Sequence, residues 1–147
     1  MRKNLLIVPL AFFFVSALAS AEARELVLVS SGSSSSVSRP KEMLIRSEAE
    51  LGSLTALIPH LAIDGVDFSK DMLIAVFRGR CSSGGNRVYI EALSQDGRRL
   101  IARTIYESPG RGCITTKALT YPFALYRTER TELKVSFTVT RIRRDCE

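Results

Sequence analysis

Six consecutive apolar residues, Met72-Leu-Ile-Ala-Val-Phe77, constrain this chain more than any other feature. The run is shorter than the roughly 10–12 residues that mark a buried helix and far shorter than a bilayer span. Asp64, Gly65, Asp67 and Asp71 precede it, and Arg78-Gly79-Arg80 follow it, so turn-forming and charged residues bound it on both sides. A strand points successive side chains to opposite faces, so one without a polar position needs cover on both. The run predicts a central strand buried on both faces.

The flanking patterns supply the rest of a β-rich fold. "RVYIEAL" and "RLIARTIY" are separated by residues 94–98, and the Asp96-Gly97 pair there suits the positive φ angles of a tight hairpin. "TKALTYPFALYRT" reads as a strand interrupted or edged by Pro122, which has no backbone N–H to give a ladder. In "ELKVSFTVTRI", Leu133, Val135, Phe137 and Val139 alternate with polar residues, the pattern of a strand with one face buried. "ELVLVS" after residue 24 suggests a short first strand. One helix is expected where Ser47 stands three residues before Glu50, the spacing of a capping box, with Leu51, Leu54, Leu57 and Ile58 on one face and Pro59 ending it. The fold class is therefore α+β and mostly β: a largely antiparallel, five- or six-stranded sandwich or curled sheet with one short packing helix.

Three segments follow from composition. Arg2 and Lys3, the apolar run 5–19 and the small residues around Ala21 have the order of a secretory signal peptide, with cleavage expected after Ala21. Pro9 interrupts the run, so no stable membrane span is expected after cleavage. Residues 22–40 hold the first strand and a Ser-rich stretch, "SSGSSSSVS", that reads as a flexible link. Residues 41–147 form the β-rich domain. The location expected is periplasmic or secreted.

Export fixes how the cysteines and charge are read. An oxidising compartment favours a disulfide, and three cysteines leave one thiol over. Cys81 and Cys113 each edge a loop in the body of the domain, while Cys146 is penultimate and expected to fray, so the pairing expected is Cys81 with Cys113. The formal charge is +6, or +4 once Arg2 and Lys3 leave with the signal peptide. Sixteen of the 21 basic residues are arginine, which suits bidentate pairing with acidic protein or an anionic envelope polymer. The arginines form no dense block interleaved with aromatics, so nucleic acid is not an expected partner. Arg141, Arg143 and Arg144 read as a solvated strand end.

Catalytic and metal-binding arrangements fail residue by residue. Gly79 and Gly84 have the spacing of half a phosphate-binding loop, but Gly85 and Asn86 stand where it needs a lysine and a hydroxyl. The single histidine, His60, follows Pro59 and reads as a helix-end residue rather than a general base. One histidine and two oxidised cysteines make no tetrahedral metal set. Asp64, Asp67 and Asp71 lack the glycine and terminal glutamate of a calcium loop and read as turn chemistry. Tyr89, Tyr106, Tyr121, Phe123 and Tyr126 read as core and cross-strand residues rather than a contact surface. The chain is expected to be no enzyme and to need no cofactor. What remains is a loop of little side-chain bulk, Ser82, Ser83, Gly84, Gly85 and Asn86, which a partner can approach closely. A plain connection whose glycines satisfy φ is an equal reading of the same residues.

"VDFSKDMLIAVFRGRCSSGG" together with "ALTYPFALYR" resembles the PrcB C-terminal domain family over residues from about 41 to 143. Asp67-Phe68, Gly79, the Gly84-Gly85 pair and Tyr121-Pro122 carry the resemblance. The family commonly has an aromatic residue after the glycine pair, where this chain has Asn86. The resemblance implies an exported, non-catalytic domain that binds another exported protein, with a protease complex as the candidate assembly. Tyr121 and Pro122 join the loop as candidate contact residues. A chagasin-like protease inhibitor is the alternative, although no tryptophan is present for that family's Arg-Pro-Trp element. An envelope-polymer binder is the third reading.

Overall fold

The computed structural model describes residues 20–147. The expected signal peptide lies, up to residue 19, outside the described residues.

Eight strands and one helix follow in the order β1 (Glu22–Arg24), β2 (Val27–Gly32), β3 (Lys41–Ile45), α1 (Glu48–Thr55), β4 (Asp71–Phe77), β5 (Arg87–Asp96), β6 (Arg99–Pro109), β7 (Phe123–Glu129) and β8 (Lys134–Arg144). They build two four-stranded sheets, β1-β5-β6-β8 and β2-β7-β4-β3. Every pairing is antiparallel except β6 with β8, which is parallel. Two strands exceed the six that the sequence pattern marks. β1 has only three residues, Glu-Ala-Arg, without alternation, and exists because β5 offers it an edge. β3 uses Met43-Leu44-Ile45, which merge by eye into the apolar spacing of the helix that follows.

β4 lies between β7 and β3, and residues 72–77 are all buried, as a strand covered on both faces requires. Met72, Ile74 and Val76 face the other sheet, against Val88, Leu100 and Tyr106. Leu73, Ala75 and Phe77 face the opposite way, against Ile45 and the helical side's Leu54 and Ile58. Each of these large side chains contributes about 1.5–3 kcal/mol by leaving water. The sheets are also joined by a polar contact: the Tyr126 hydroxyl on β7 accepts the Ile90 backbone N–H of β5 at 3.1 Å.

At eight residues α1 is too short to hold by itself, since isolated helices under about 12–15 residues are marginal. Ser47 caps it, accepting the Glu50 N–H at 3.2 Å, and Leu54 anchors it in the core. The return bond is displaced by one residue, because the Glu50 carboxylate accepts from the Arg46 N–H rather than from that of the cap.

Three expectations need correction. The hairpin turn is Gly97-Arg98, with Asp96 paired to Arg99 inside the ladder. The Ser-rich stretch is not a free link. Ser35 and Val37 are buried, the Ser35 N–H donates to the Tyr121 carbonyl at 3.2 Å, and Ser36 donates to Leu57 at 2.8 Å. Small side chains let this segment lie close against the body of the domain, which composition alone does not distinguish from flexibility. Along β8, Val135 and Phe137 pack on the inter-sheet core, but Val139 is 43% exposed because an edge strand has only one lateral neighbour to cover it.

Candidate functional site

The end of the sandwich where β4 runs out and β7 begins collects the loop that follows β4, the long connection 110–122 and the last residues of β8. Gly79 starts the first loop at φ 87°, a left-handed conformation that favours glycine. A Cβ there would sit 3.0 Å from the backbone of Arg39 and Pro40, so glycine also permits the chain to pass against that segment. The Arg80 N–H donates to the Ser38 carbonyl at 3.1 Å.

Beyond Gly79 the loop is stitched to the 110–122 connection by its backbone. Cys81 and Thr120 exchange two hydrogen bonds, at 2.8 and 2.9 Å. The Gly84 N–H donates to the Thr116 carbonyl at 3.0 Å, and the Thr120 hydroxyl donates to the Ser83 carbonyl at 2.8 Å. Asn86 closes the loop by donating its amide to the Ser83 carbonyl at 2.9 Å. A side chain at Gly84 would overlap the Thr116 hydroxyl as it stands, so the close approach there is eased by glycine.

The disulfide joins Cys113 to Cys146, not Cys113 to Cys81, and Cys81 is a free, half-buried thiol. The cause is the parallel pairing of β6 and β8. Its register sets Pro109 beside Arg144, so the residues just past the two strand ends are brought together. The Gly110 N–H donates to the Arg144 carbonyl and the Cys146 N–H to Arg111, which holds the penultimate residue in place instead of letting it fray. Cys81 meets the same connection, but through Thr120, seven residues beyond Cys113.

The seven candidate contact residues thus gather at one end without being equally available. Ser82 and Gly85 are exposed, Ser83, Gly84, Asn86 and Tyr121 are half-buried, and Pro122 is buried with its carbonyl accepting from the Arg78 N–H at 3.0 Å. Tyr121 is held by the Ser-rich stretch, donating its N–H to the Ser33 carbonyl at 2.8 Å. The sequence reading missed Ile114 and Leu119 on the neighbouring connection. Ile114 is fully exposed at the residue after the disulfide, and Leu119 is 58% exposed. A non-alternating loop offers no period by which their exposure can be read.

Among the described residues two larger clefts flank this end, beside a smaller one against Gly85, Cys113 and Ile114. One, of about 430 Å³, is polar and lined by Arg78, Arg80, Cys81, Ser83, Arg141 and Arg143. The other, of about 440 Å³, is apolar and lies between β2 and the part of β5 that β1 leaves unpaired, with Leu28, Val88, Tyr89, Phe123 and Tyr126 in its walls. Asn86 borders both.

Tyr106 underlies the polar cleft. The Arg141 guanidinium carbon lies 5.1 Å from its ring centre and that of Arg78 5.7 Å. Burial pushes its phenol above the ordinary tyrosine value, with Glu42 pushing the same way and the two arginines opposing. The neutral ring presents its electron-rich face to cations. Elsewhere, His60 is exposed after α1 at φ 63°, and Asp67 caps a turn by accepting both the N–H and the hydroxyl of Ser69.

Residues 72–129, from β4 to the end of β7, match the family described as PrcB C-terminal. The matched segment includes Gly79, Gly84-Gly85 and Tyr121-Pro122 and begins after Asp67-Phe68. No curated protein and no solved structure matches the chain.

Proposed function

We propose, from the match of residues 72–129 to the PrcB C-terminal family, that the chain is an exported, non-catalytic domain that binds another protein as an accessory or stabilising subunit of a protease complex. The observation that carries this reading is Ile114. A fully exposed isoleucine gains nothing for the fold, yet this one sits on a connection held by the Cys113–Cys146 bond at one end and by the Cys81–Thr120 bridge at the other. A connection whose backbone is already held at both ends loses less conformational freedom on docking than a free loop would. Leu119 is a second exposed apolar residue on the same connection, and Gly85 borders the same small cleft as Ile114.

The test is affinity purification of the tagged chain from its native envelope, beside an Ile114→Asp variant. A stoichiometric protein should accompany the wild type and be lost from the variant. Because Ile114 contributes no burial, the variant's melting temperature should be unchanged. Recovery of the chain alone after gentle extraction would count against the reading. Loss of protease turnover at near-equimolar dose would move the assignment to inhibition.

A further inference from the structure

We infer that the polar cleft between the loop after β4 and the end of β8 receives a cluster of carboxylates, presented by an acidic segment of the protein partner. The inference rests on the protein-binding reading above and names the chemistry of the partner. Four arginines, Arg78, Arg80, Arg141 and Arg143, line this one cleft, and none has a carboxylate within ion-pair distance among the described residues. Of the other eleven arginines among the described residues, Arg24, Arg87, Arg103, Arg111, Arg130 and Arg144 have such a partner and Arg39, Arg46, Arg98, Arg99 and Arg127 do not. What sets the cleft apart is that four unpaired arginines converge on one space.

The unbalanced charge is built in. Arg78 is fastened by neutral groups: its guanidinium donates to the carbonyls of Glu107 and Arg87 and to the Ser108 hydroxyl. The Glu107 carboxylate, the nearest candidate to neutralise it, instead pairs with Arg87 at 2.9 Å and Arg144 at 3.7 Å. Arg141 and Arg78 both lie against the Tyr106 ring, at 5.1 and 5.7 Å from its centre, so two unpaired guanidinium groups are held around one side chain. Glu42 faces Tyr106 from β3 but makes no ion pair with either arginine. Unpaired like charges gathered around one ring gain from an arriving anion, which meets donors already fixed in place on Arg78.

Confinement favours a peptide over a polymer. A charged chain molecule is bound along an extended stripe, whereas here the unpaired arginines converge on about 430 Å³, enough for a few carboxylates. The exposed Ser82 hydroxyl at the rim adds a donor that suits carboxylate oxygens.

The probe is a labelled hexaglutamate peptide, its binding to the full exported chain followed by fluorescence anisotropy at low and at ~1 M salt. The test variant is Arg80→Gln with Arg143→Gln, both exposed and outside the fastened Arg78 cluster, so folding is not at stake. The control is Arg98→Gln with Arg99→Gln, which removes the same charge at the distant hairpin. Salt-sensitive binding that weakens roughly tenfold or more in the test variant and is kept in the control is the expected result. Cys81, the one unpaired cysteine, lines the cleft, so saturating peptide should also slow its labelling by maleimide in the wild type. Equal loss in both variants, or no protection of Cys81, overturns the inference. So does cleft-dependent binding of polygalacturonate without binding of hexaglutamate, which assigns the cleft to a polymer. If the test variant captures the envelope partner as fully as the wild type, the inference fails and the protein-binding reading stands. If the wild type captures none yet binds hexaglutamate through the cleft, the protein-binding reading fails and takes the partner's segment with it, while the cleft's preference for carboxylates stands.

Discussion

The guanidinium of Arg130 donates to the Arg46 carbonyl at 2.7 Å, and the guanidinium of Arg46 donates back to the carbonyls of Thr131 and Leu133, at 3.0 and 3.2 Å. Each arginine thereby satisfies the chain that carries the other. Arg130 also reaches the Phe68 carbonyl at 2.8 Å, so one side chain ties the exit of β3, the turn before β4 and the end of β7. This lock lies at the end of the sheet where Asp71 pairs with Glu129, opposite the loop site beyond Phe77 and Phe123. Arg130→Ala should cost about 1.5–3 kcal/mol, because charge-assisted bonds are lost and part-buried carbonyls left without donors. Lysine should not restore it, lacking the planar fork that serves several acceptors at once. Urea unfolding of the two single variants and the Arg46→Ala/Arg130→Ala pair should give a combined loss smaller than the sum.

The covalent bond is open to a direct check. Peptide mapping without reductant should link Cys113 to Cys146 and find Cys81 alkylated. Cys146→Ser should lower stability by roughly 3–4 kcal/mol in the chain-entropy view, for cysteines 33 residues apart, whereas Cys81→Ser should change little. A peptide joining Cys81 to either of the others would contradict the structure.

Gly84 offers a paired substitution. Gly84→Ala places a methyl group on the Thr116 hydroxyl, which is exposed and can turn away, so the loss should stay below about 1 kcal/mol. Adding Thr116→Ala removes the obstructing oxygen and should recover much of that loss. Thermal melts of the three variants decide the matter, and a second substitution with no effect would show that the overlap is not the cause.

Acid should act through the turn before β4. The side-chain and backbone hydrogen bonds from Ser69, with Lys70 assisting, hold the Asp67 carboxyl below the ordinary aspartate value. A group whose folded value is depressed stabilises the fold above its unfolded value, near 3.8, and that contribution is lost as pH falls through the folded value. Titration of Asp67 by NMR should give a midpoint under 3.8, moved upward by Ser69→Ala. Stability of the Asp67→Asn chain should depend less on pH across that acid window.

How much was legible in the sequence depended on the range of the interaction involved. The Met72–Phe77 run required cover on both faces, Ser47 and Glu50 placed the helix start, Pro122 stopped just short of β7, and the alternation around Val135 marked β8. The fold class and the gathering of a small-residue loop at a sheet end come from such local rules, because side-chain period, capping and the missing proline donor act within a few residues.

Tertiary structure alone decided which distant segments met. The parallel register of β8 on β6 selected Cys146 over Cys81 as the partner of Cys113. Packing against Tyr121 and Leu57 ordered the serines that composition marked as a link. The cleft draws Arg78 and Arg80 together with Arg141 and Arg143, some sixty residues farther along the chain. Periodicity tells which face of a strand is buried but not which strand lies beside it, since that choice rests on the summed burial and hydrogen bonding of the whole domain.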